Sequence, residues 1–270
     1  MIKRIFADMD GTLLTPEGIV SDATAQAIKA SHIPVTLVSA RAPLEMKDAI
    51  DKLGLNTPQI GFNGGLIYER TGNDWKTISA RLITMITARE ILHAVKSNFP
   101  HVSLSYYDKY RWYADNIDHG IQYEQKLTGQ SPTILPIEEV FSQPNFEVFK
   151  IMMITFDSEE MERLKAYFNQ ANYQGVSVAQ AGTAYLEITN IDAKKSRGIN
   201  YILEQERLSK NETAAFGDGY NDLPMLNMVG LPVVMGSAQE DIKKVAKFVT
   251  KSNVEDGVAY ALQTLPEFKG

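Results

Sequence analysis

Two short apolar runs, far apart in the chain, each end in a group of acidic residues. Residues 2–7 are followed by Asp8-Met-Asp-Gly-Thr12, and residues 214–216 are followed by Gly217-Asp-Gly-Tyr-Asn-Asp222. Runs of this length, bounded by glycine, are typical of buried strands. In an open parallel sheet, ligands bind beyond the carboxyl ends of the strands. The pattern therefore predicts an α/β fold with acidic groups at the functional edge of a sheet.

A single Asp after a strand is most often a turn former or a helix N-cap. A calcium loop is a second interpretation, since Asp8, Asp10, Gly11 and Glu17 match four positions of the EF-hand pattern. That match would place Phe6 at the first ligand position, where it cannot bind calcium, and the upstream segment is strand-like. The recurrence of acids at a second strand end favours a divalent-metal site, because clustered carboxylates repel without a cation and Mg²⁺ prefers oxygen ligands.

These segments resemble the motifs of the haloacid dehalogenase (HAD) superfamily of hydrolases, in its Cof-type phosphatase branch. The segment from Asp8 to Thr12 resembles the first motif, Ser39 the second, Lys195 the third, and the segment from Gly217 to Asp222 the fourth. The first and fourth motifs are specific, whereas the second and third are weak by themselves. Their order and spacing cover nearly the whole chain, which identifies the protein as a member of this superfamily.

The pattern of predicted strands and helices differs between the two ends of the chain and its middle. Alternating strands and helices at both ends predict a Rossmann-like parallel-sheet core formed by residues 1–83 and 188–270. Residues 84–187 have strands in pairs with helices between them, which predicts an inserted α+β domain. The resemblance implies that this insertion is a cap of the IIB kind that determines substrate specificity. Its aromatic residues on the hairpin of residues 102–114 are expected to alternate between the interior of the cap and solvent.

The amino-acid composition excludes several classes of binding partner and site. The net charge of -6 and the pI near 5.3 provide no basic surface, which argues against nucleic acid or an anionic membrane as a partner. The absence of cysteine excludes disulfides and thiolate metal sites. The N-terminus has no apolar segment of signal-peptide length, and no run is long enough to cross a bilayer. We therefore expect a cytoplasmic protein, and the oligomeric state stays open.

The acids can be given roles in the hydrolysis of a phosphate ester. Asp8 is the expected nucleophile, since a carboxylate can attack phosphorus and form an acyl phosphate. Asp10 is placed to act as general acid and base, and its backbone carbonyl is a candidate metal ligand. Asp218 is the expected direct acidic ligand, with Asp222 and Asn221 orienting it or its waters. The predicted Mg²⁺ set is thus Asp8, Asp10, Asp218 and Asp222, with Asn221 also assigned to substrate binding.

The phosphate is expected to contact two further segments. Ser39 can donate its hydroxyl, and Ala40 stands where a glycine is common in this branch, so the turn is stiffer. Arg41 either binds an anionic substrate or pairs with an acid of the cap, and the sequence does not decide between these interpretations. Asn63-Gly64 resembles a turn that faces the site in the family, and the alternative is an ordinary tight turn.

Two neighbouring lysines compete for the position of the third motif. A lone lysine is most often a solvated surface charge, and Ala193-Lys-Lys-Ser-Arg-Gly-Ile departs from the usual Lys-Gly pair of the family. Gly198 and Ile199 match the small and apolar positions that follow in the family. This match favours Lys195 over Lys194 as the ammonium that meets the phosphoryl group.

The expected function is Mg²⁺-dependent hydrolysis of a small phosphate monoester, through an aspartyl-phosphate intermediate. The substrate classes considered are sugar phosphates, nucleotides and cofactor phosphates. A phosphomutase acting on a hexose phosphate would use the same Asp8 and Asp10, so it is retained as an alternative. A noncatalytic phosphate-binding regulatory module is less favoured because both acids are present. The sequence does not identify the physiological substrate.

Overall fold

Strands and helices alternate along the chain in the computed structural model, which describes residues 1–72 and 74–269. Within those residues the strands are β1 (Arg4–Ala7), β2 (Val35–Leu37), β3 (Gln59–Gly61), β4 (Leu66–Thr71), β5 (Asp74–Ala80), β6 (Ser103–Tyr107), β7 (Trp112–Ala114), β8 (Thr133–Ile134), β9 (Lys150–Ile154), β10 (Val176–Ala181), β11 (Tyr185–Asn190), β12 (Thr213–Gly217), β13 (Leu231–Val234) and β14 (Phe248–Val249). The helices are α1 (Asp22–Ser31), α2 (Pro43–Leu53), α3 (Met85–Asn98), α4 (His119–Thr128), α5 (Ile137–Phe141), α6 (Ser158–Ala171), α7 (Lys195–Glu206), α8 (Leu223–Leu226), α9 (Glu240–Lys243) and α10 (Gly257–Thr264).

The chain divides into two compact units. The core unit contains residues 1–41, 46–79 and 194 onward, and the cap unit contains residues 42–45 and 80–193. None of the helices in the described part of the chain combines the length and the apolar character that a bilayer crossing requires.

The core unit is built on a parallel sheet of order β14-β13-β12-β1-β2. Strand β1, which lies between β12 and β2, is buried along its whole length, as expected for an apolar run covered on both faces. Ala7 of β1 lies opposite Phe216 of β12, so the residues that follow these strands emerge side by side. The predicted α/β fold class with a parallel-sheet core is confirmed, and the first and last motifs begin at the same sheet edge.

A smaller sheet of order β3-β4-β5 also belongs to the core unit. Strands β3 and β4 pair antiparallel, with Gln59 opposite Tyr68. A single parallel bridge joins Val38 to Ile60 at the side of β2. The sequence did not predict β5, which is mostly exposed or half-buried and lacks a clean alternation of apolar residues.

The cap unit contains a six-stranded, mainly antiparallel sheet of order β10-β11-β9-β6-β7-β8. One face packs against apolar residues of α3, α5 and α6, and Tyr106 and Tyr113 belong to that cluster. The hairpin pairing of β6 with β7 is confirmed. The expected solvent exposure of the other aromatic set is wrong for Tyr107 and Trp112, which are 1% and 2% exposed and stack with their ring centroids 6.0 Å apart. The alternation of side chains along a strand predicts which face of the sheet each residue occupies. It does not predict whether that face is exposed to solvent, and here both faces are buried at the hairpin.

Candidate active site

The chain turns sharply after β1, and this turn brings the first acidic motif against the fourth. Gly11 has φ +74, a conformation that side chains rarely adopt, and a Cβ at this position would collide with the Asp218 carboxylate. Next to it, the Thr12 hydroxyl donates to Asp218 Oδ1 at 2.7 Å. Thr12 was not singled out by its sequence, although it lies within the first motif. Glycine and threonine together therefore fix the approach of the two strand ends.

Three carboxylates meet at this edge of the core sheet. Asp8, Asp218 and Asp222 each offer an oxygen atom, and these atoms lie within 4.8 Å of one another. Asp8 is 5% exposed and Asp222 is 0% exposed, whereas Asp218 is half-buried. Such a concentration of negative charge away from water requires positive charge nearby. The group could hold a metal ion.

Lys195 supplies part of that charge. It is the first residue of α7, its side chain is 1% exposed, and its Nζ donates to Asp8 Oδ1 at 2.5 Å and to Asp222 Oδ1 at 2.7 Å. Burial lowers the pKa of Lys195, but the charges of Asp8 and Asp222 outweigh it and raise the pKa above the ordinary lysine value. Lys194 is the exposed N-cap of the same helix. The phase of α7 therefore directs only Lys195 into the acidic group.

The two acids that remain available for a cation are Asp8 and Asp218. Burial raises the pKa of Asp8 well above its ordinary value; Lys195 opposes this shift, while Asp222 adds to it. Burial also raises the pKa of Asp218, against the hydrogen bond from Thr12. In each carboxylate the Oδ1 atom accepts a hydrogen bond, and Oδ2 has no hydrogen-bond partner within residues 1–72 and 74–269. Both groups would gain stability as carboxylates if a cation bound between them.

Asp222 differs because protein donors occupy both of its oxygens. Oδ1 accepts from Lys195, and Oδ2 accepts from the backbone N–H groups of Asp218 and Gly219, each at 3.0 Å. These bonds fix the turn after β12 and hold Asp218 in place. Asn221, in the same turn, is exposed. The geometry suits Asp222 to orienting its neighbours better than to direct coordination.

Asp10 is not one of the three acids whose oxygen atoms cluster. Its side chain is 59% exposed, and Arg41 donates to it through Nε at 2.9 Å and Nη2 at 2.6 Å. The acid in this bidentate pair belongs to the core unit, as Arg41 itself does. Pairing of this kind depends on two segments that meet only in the folded chain.

The predicted phosphate-binding segments also lie in the core unit. Ser39 is 0% exposed, and its Oγ accepts the backbone N–H of Arg41 at 3.1 Å, while the neighbouring Ala40 is half-buried. Asn63 adopts φ 55, and its buried Oδ1 has no hydrogen-bond partner within the described residues. Gly64 has φ +96, and a Cβ there would collide with the Lys194 carbonyl. The Asn-Gly turn is therefore packed directly against the start of α7.

The donor set fits Mg²⁺. The available atoms are carboxylate oxygens of Asp8 and Asp218, which are hard ligands, and the set contains neither thiolate nor imidazole. A small octahedral ion usually keeps several waters, so two or three protein oxygens suffice for it.

A profile of the haloacid dehalogenase-like hydrolases matches residues 5–262, and the chain belongs to this family. It is 27% identical to the Bacillus subtilis protein named 5-amino-6-(5-phospho-D-ribitylamino)uracil phosphatase YwtE, over 98% of each chain. It is also 27% identical to Phosphatase YwpJ of Bacillus subtilis, over 98% of this chain and 100% of the relative.

Among solved structures, a HAD subclass IIB sugar phosphatase, BT4131, superposes with a TM-score of 0.75 at 22% identity. The match covers 97% of this chain and 98% of that one, and it concerns the fold. The family and the names of the curated relatives support phosphatase activity of the HAD kind. The resemblance drawn from the four motifs is thus confirmed.

Proposed function

We propose that the chain is a Mg²⁺-dependent phosphatase that hydrolyses a small phosphate monoester through an aspartyl-phosphate on Asp8. The observation that carries the proposal is the environment of Asp8 at the sheet edge. One carboxylate oxygen is held by Lys195 at 2.5 Å, and the other has no protein donor in the described part of the chain. Asp8 also lies in the group of three acids with Asp218 and Asp222. A buried carboxylate fixed through one oxygen is suited to attack with the other.

In the first step, Oδ2 of Asp8 forms a bond to phosphorus while the bond between phosphorus and the ester oxygen breaks. The leaving alkoxide takes a proton, which Asp10 supplies. This role requires that Asp10 exchanges its Arg41 partner for the substrate oxygen, and its 59% exposed side chain has the freedom to do so. Lys195 balances the charge of Asp8 and of the phosphoryl oxygens.

In the second step, water attacks the phosphorus of the acyl phosphate and the bond to Asp8 breaks. Asp10, now a carboxylate, accepts the proton from that water, so the products are inorganic phosphate and the original enzyme. The same residue thus acts first as an acid and then as a base.

Asp8 and Asp218, with the backbone carbonyl of Asp10, would hold the Mg²⁺, and Asp222 would orient Asp218 through the turn after β12. When bound, the ion supplies positive charge that reduces repulsion between Asp8 and the anionic ester. The two free Oδ2 atoms and the raised pKa values of both carboxyls support this assignment. Asn221 remains a candidate for water-mediated contacts because it is exposed.

Ser39, Ala40 and Arg41, with Asn63 and Gly64, are proposed to bind the phosphate and the adjoining part of the substrate. The unpartnered Oδ1 of Asn63 supports this role, because buried polar atoms are normally satisfied by a partner, water or ligand.

The segment of residues 84–187 is proposed as the substrate-specificity domain, with residues 1–83 and 188–270 as the catalytic core. A separate sheet and hydrophobic cluster in this part of the chain support its treatment as a unit. The curated relative that acts on a phosphoribitylaminouracil supports a small phosphorylated metabolite as the substrate class. We expect the protein to act in the cytoplasm, without nucleic acid.

The test is phosphate release from p-nitrophenyl phosphate at near-neutral pH, with and without metal. Activity should disappear with EDTA and return with Mg²⁺, and Asp8→Asn should remove turnover because an amide is a poor nucleophile of nearly the same volume. Turnover that survives thorough metal removal would contradict the metal assignment. Conversion of a hexose phosphate to its isomer, without net phosphate release, would identify a phosphomutase. Binding of phosphate with no turnover on a broad panel of esters would indicate a noncatalytic module.

A further inference from the structure

The sheet of the cap unit ends on one side at β10. This strand pairs only with β11 among the strands of residues 1–72 and 74–269. Of its six residues, Val176 is half-buried and the other five are exposed. Because successive side chains of a strand point to opposite faces, both faces of β10 are open to water. The strand therefore forms an uncovered edge.

The open side of β10 carries backbone groups that no other strand of the described chain pairs with. The N–H of Ile191 donates to the carbonyl of Gly175 at 3.0 Å, in the same register that pairs β10 with β11. Hydrogen-bonded pairs alternate along an antiparallel ladder, so residues 177, 179 and 181 bond to β11. The residues between them direct their N–H and C=O groups to the open side, and these are Val176, Val178 and Gln180. A row of such groups is a template for another strand.

Strand β10 lacks the features by which edge strands usually avoid pairing with another chain, which are short length and charged side chains. Strands β8 and β14 are two residues long, and β5 carries Asp74 and Lys76. By contrast, β10 reads Val-Ser-Val-Ala-Gln-Ala. The uncharged segment is longer than the strand, because residues 166–186 contain no Asp, Glu, Lys or Arg. A charged partner would therefore find no opposite charge on this segment.

The edge fits a second copy of the same chain. The net charge of -6 makes two copies repel each other, and this repulsion is smallest where they meet without charged side chains. Val176 packs against the hydrophobic cluster of the cap unit, and Val178, on the same face of the strand, is 36% exposed. When two identical strands pair antiparallel about a two-fold axis, all the outward N–H groups find carbonyls only if the axis passes at Val178. The two Val178 side chains then cover each other.

We propose that β10 is the interface of a weak two-fold dimer, in which the cap sheets of two copies join edge to edge through antiparallel β10 strands. The Val178 residues of the two copies form a hydrogen-bonded pair, and Val176 of each copy pairs with Gln180 of the other. A strand of six residues spans only about 20 Å, so its pairing buries less than the roughly 1,200 Å² of a stable interface. The dimer is therefore concentration-dependent, and it closes at two copies because it occupies both edges.

Sedimentation velocity of the full chain tests the assembly between about 10 µM and 1 mM, the range in which a weak interface of this size dissociates. The dimer should grow from a minor to a major species across this range. Hydrogen exchange followed by NMR should show new protection of the Val176, Val178 and Gln180 amides in the dimer, while those of Ser177 and Ala179 stay protected throughout. A monomer at every concentration, an assembly larger than two copies, or a dimer without this alternation would overturn the proposal.

Charge swaps at Val178 test the pairing itself, because this residue faces its own copy. Val178→Lys and Val178→Glu should each weaken the dimer about fivefold or more, the upper scale of a cross-strand charge effect, and an equimolar mixture of the two should associate more tightly than either alone. Val254→Lys makes the same change at a 64% exposed valine of the core unit, and this matched control should dimerise like the original. Circular dichroism checks that each variant is folded. Unchanged association of the single variants, or no recovery in a mixture of folded variants, would overturn the proposal.

Discussion

Each unit contains a buried lysine, and the two lysines are similarly buried but lie in different surroundings. The side chain of Lys195 in the core unit is 1% exposed and that of Lys150 in the cap unit is 5% exposed. Lys195 contacts Asp8 and Asp222 at 2.5 and 2.7 Å, whereas Lys150 lies 3.2 Å from Glu187 and 4.6 Å from the ring of Tyr107. In both cases nearby carboxylates raise the lysine pKa against the effect of burial.

The two lysines differ in where they lie in the secondary structure. Lys195 begins a helix and meets acids that follow two parallel strands, at an edge where side chains can face a ligand. Lys150 begins β9 inside an antiparallel sheet, with Glu187 on the adjacent strand β11. We therefore expect Lys195 to affect chemistry and Lys150 to affect mainly stability. A buried ion pair by itself does not identify a catalytic centre.

The largest effect is expected at Lys195. Lys195→Ala should lower kcat by roughly two to four orders of magnitude, the scale expected when a charge contact to the transition state is lost. Lys194→Ala is the matched control and should be nearly silent, as for an exposed surface charge. Steady-state kinetics on p-nitrophenyl phosphate compares the two. A large loss confined to Lys194→Ala would place the third motif one residue earlier.

Lys150→Met should lower stability rather than the rate of chemistry. The change leaves Glu187 buried beside an apolar side chain, and breaking a buried pair in this way typically costs about 3–5 kcal/mol. Urea denaturation measures the loss, with Lys165→Met as the control because its pair with Glu162 is exposed. The kcat of the folded variant should stay within about threefold of the original, on the scale of a change outside the site. A fall in kcat comparable to that of Lys195→Ala would remove the distinction between the two lysines.

Glu124, near Lys150 in the cap unit, provides a pH test. Burial, followed by the charges of Glu45 and Glu187, raises its pKa, while the hydrogen bond from Tyr185 and the charge of Lys150 lower it. Because the folded state favours the protonated carboxyl, this group destabilises the protein once pH has risen from its ordinary pKa through the raised value.

Glu124→Gln should therefore increase Tm by a few degrees at pH 8, and the increase should shrink as the pH falls towards 4. The amide oxygen can still accept the hydrogen bond from Tyr185, which is 2.7 Å from the carboxylate in the original. Thermal melts across this pH range, with exposed Glu162→Gln as the control, measure the difference. A gain that grows as the pH falls would reverse the assigned sign.

The smallest effect on stability is expected at Arg41, whose pair with Asp10 is partly exposed to water. Arg41→Lys removes the bidentate geometry, yet an exposed pair contributes only about 0–1 kcal/mol. The urea midpoint should therefore move little. A loss as large as that of Lys150→Met would show that exposure does not set the strength of these pairs.

The acidic residues at the edge of the core sheet could be predicted because the sequence pattern that indicates them is local. An apolar run, a glycine and an acid follow one another within a few residues at both strand ends. The pair of Arg41 with Asp10 and the contact of Thr12 with Asp218 could not be predicted, since each joins segments that meet only through the register of the parallel sheet. Strand β5 was missed because its residues show no clean periodicity. The burial of Tyr107 and Trp112 depends on how side chains pack in the folded chain, which no local sequence pattern reports.

Trapping of the covalent intermediate tests the central claim most directly. The enzyme is mixed with Mg²⁺ and p-nitrophenyl phosphate, quenched in acid during turnover, reduced with borohydride and analysed by peptide mass spectrometry. The account predicts that Asp8 is converted to homoserine, and that the yield rises in Asp10→Asn if breakdown of the intermediate is slowed more than its formation. Phosphate found on a different side chain, or full turnover with no modification of Asp8, would contradict it.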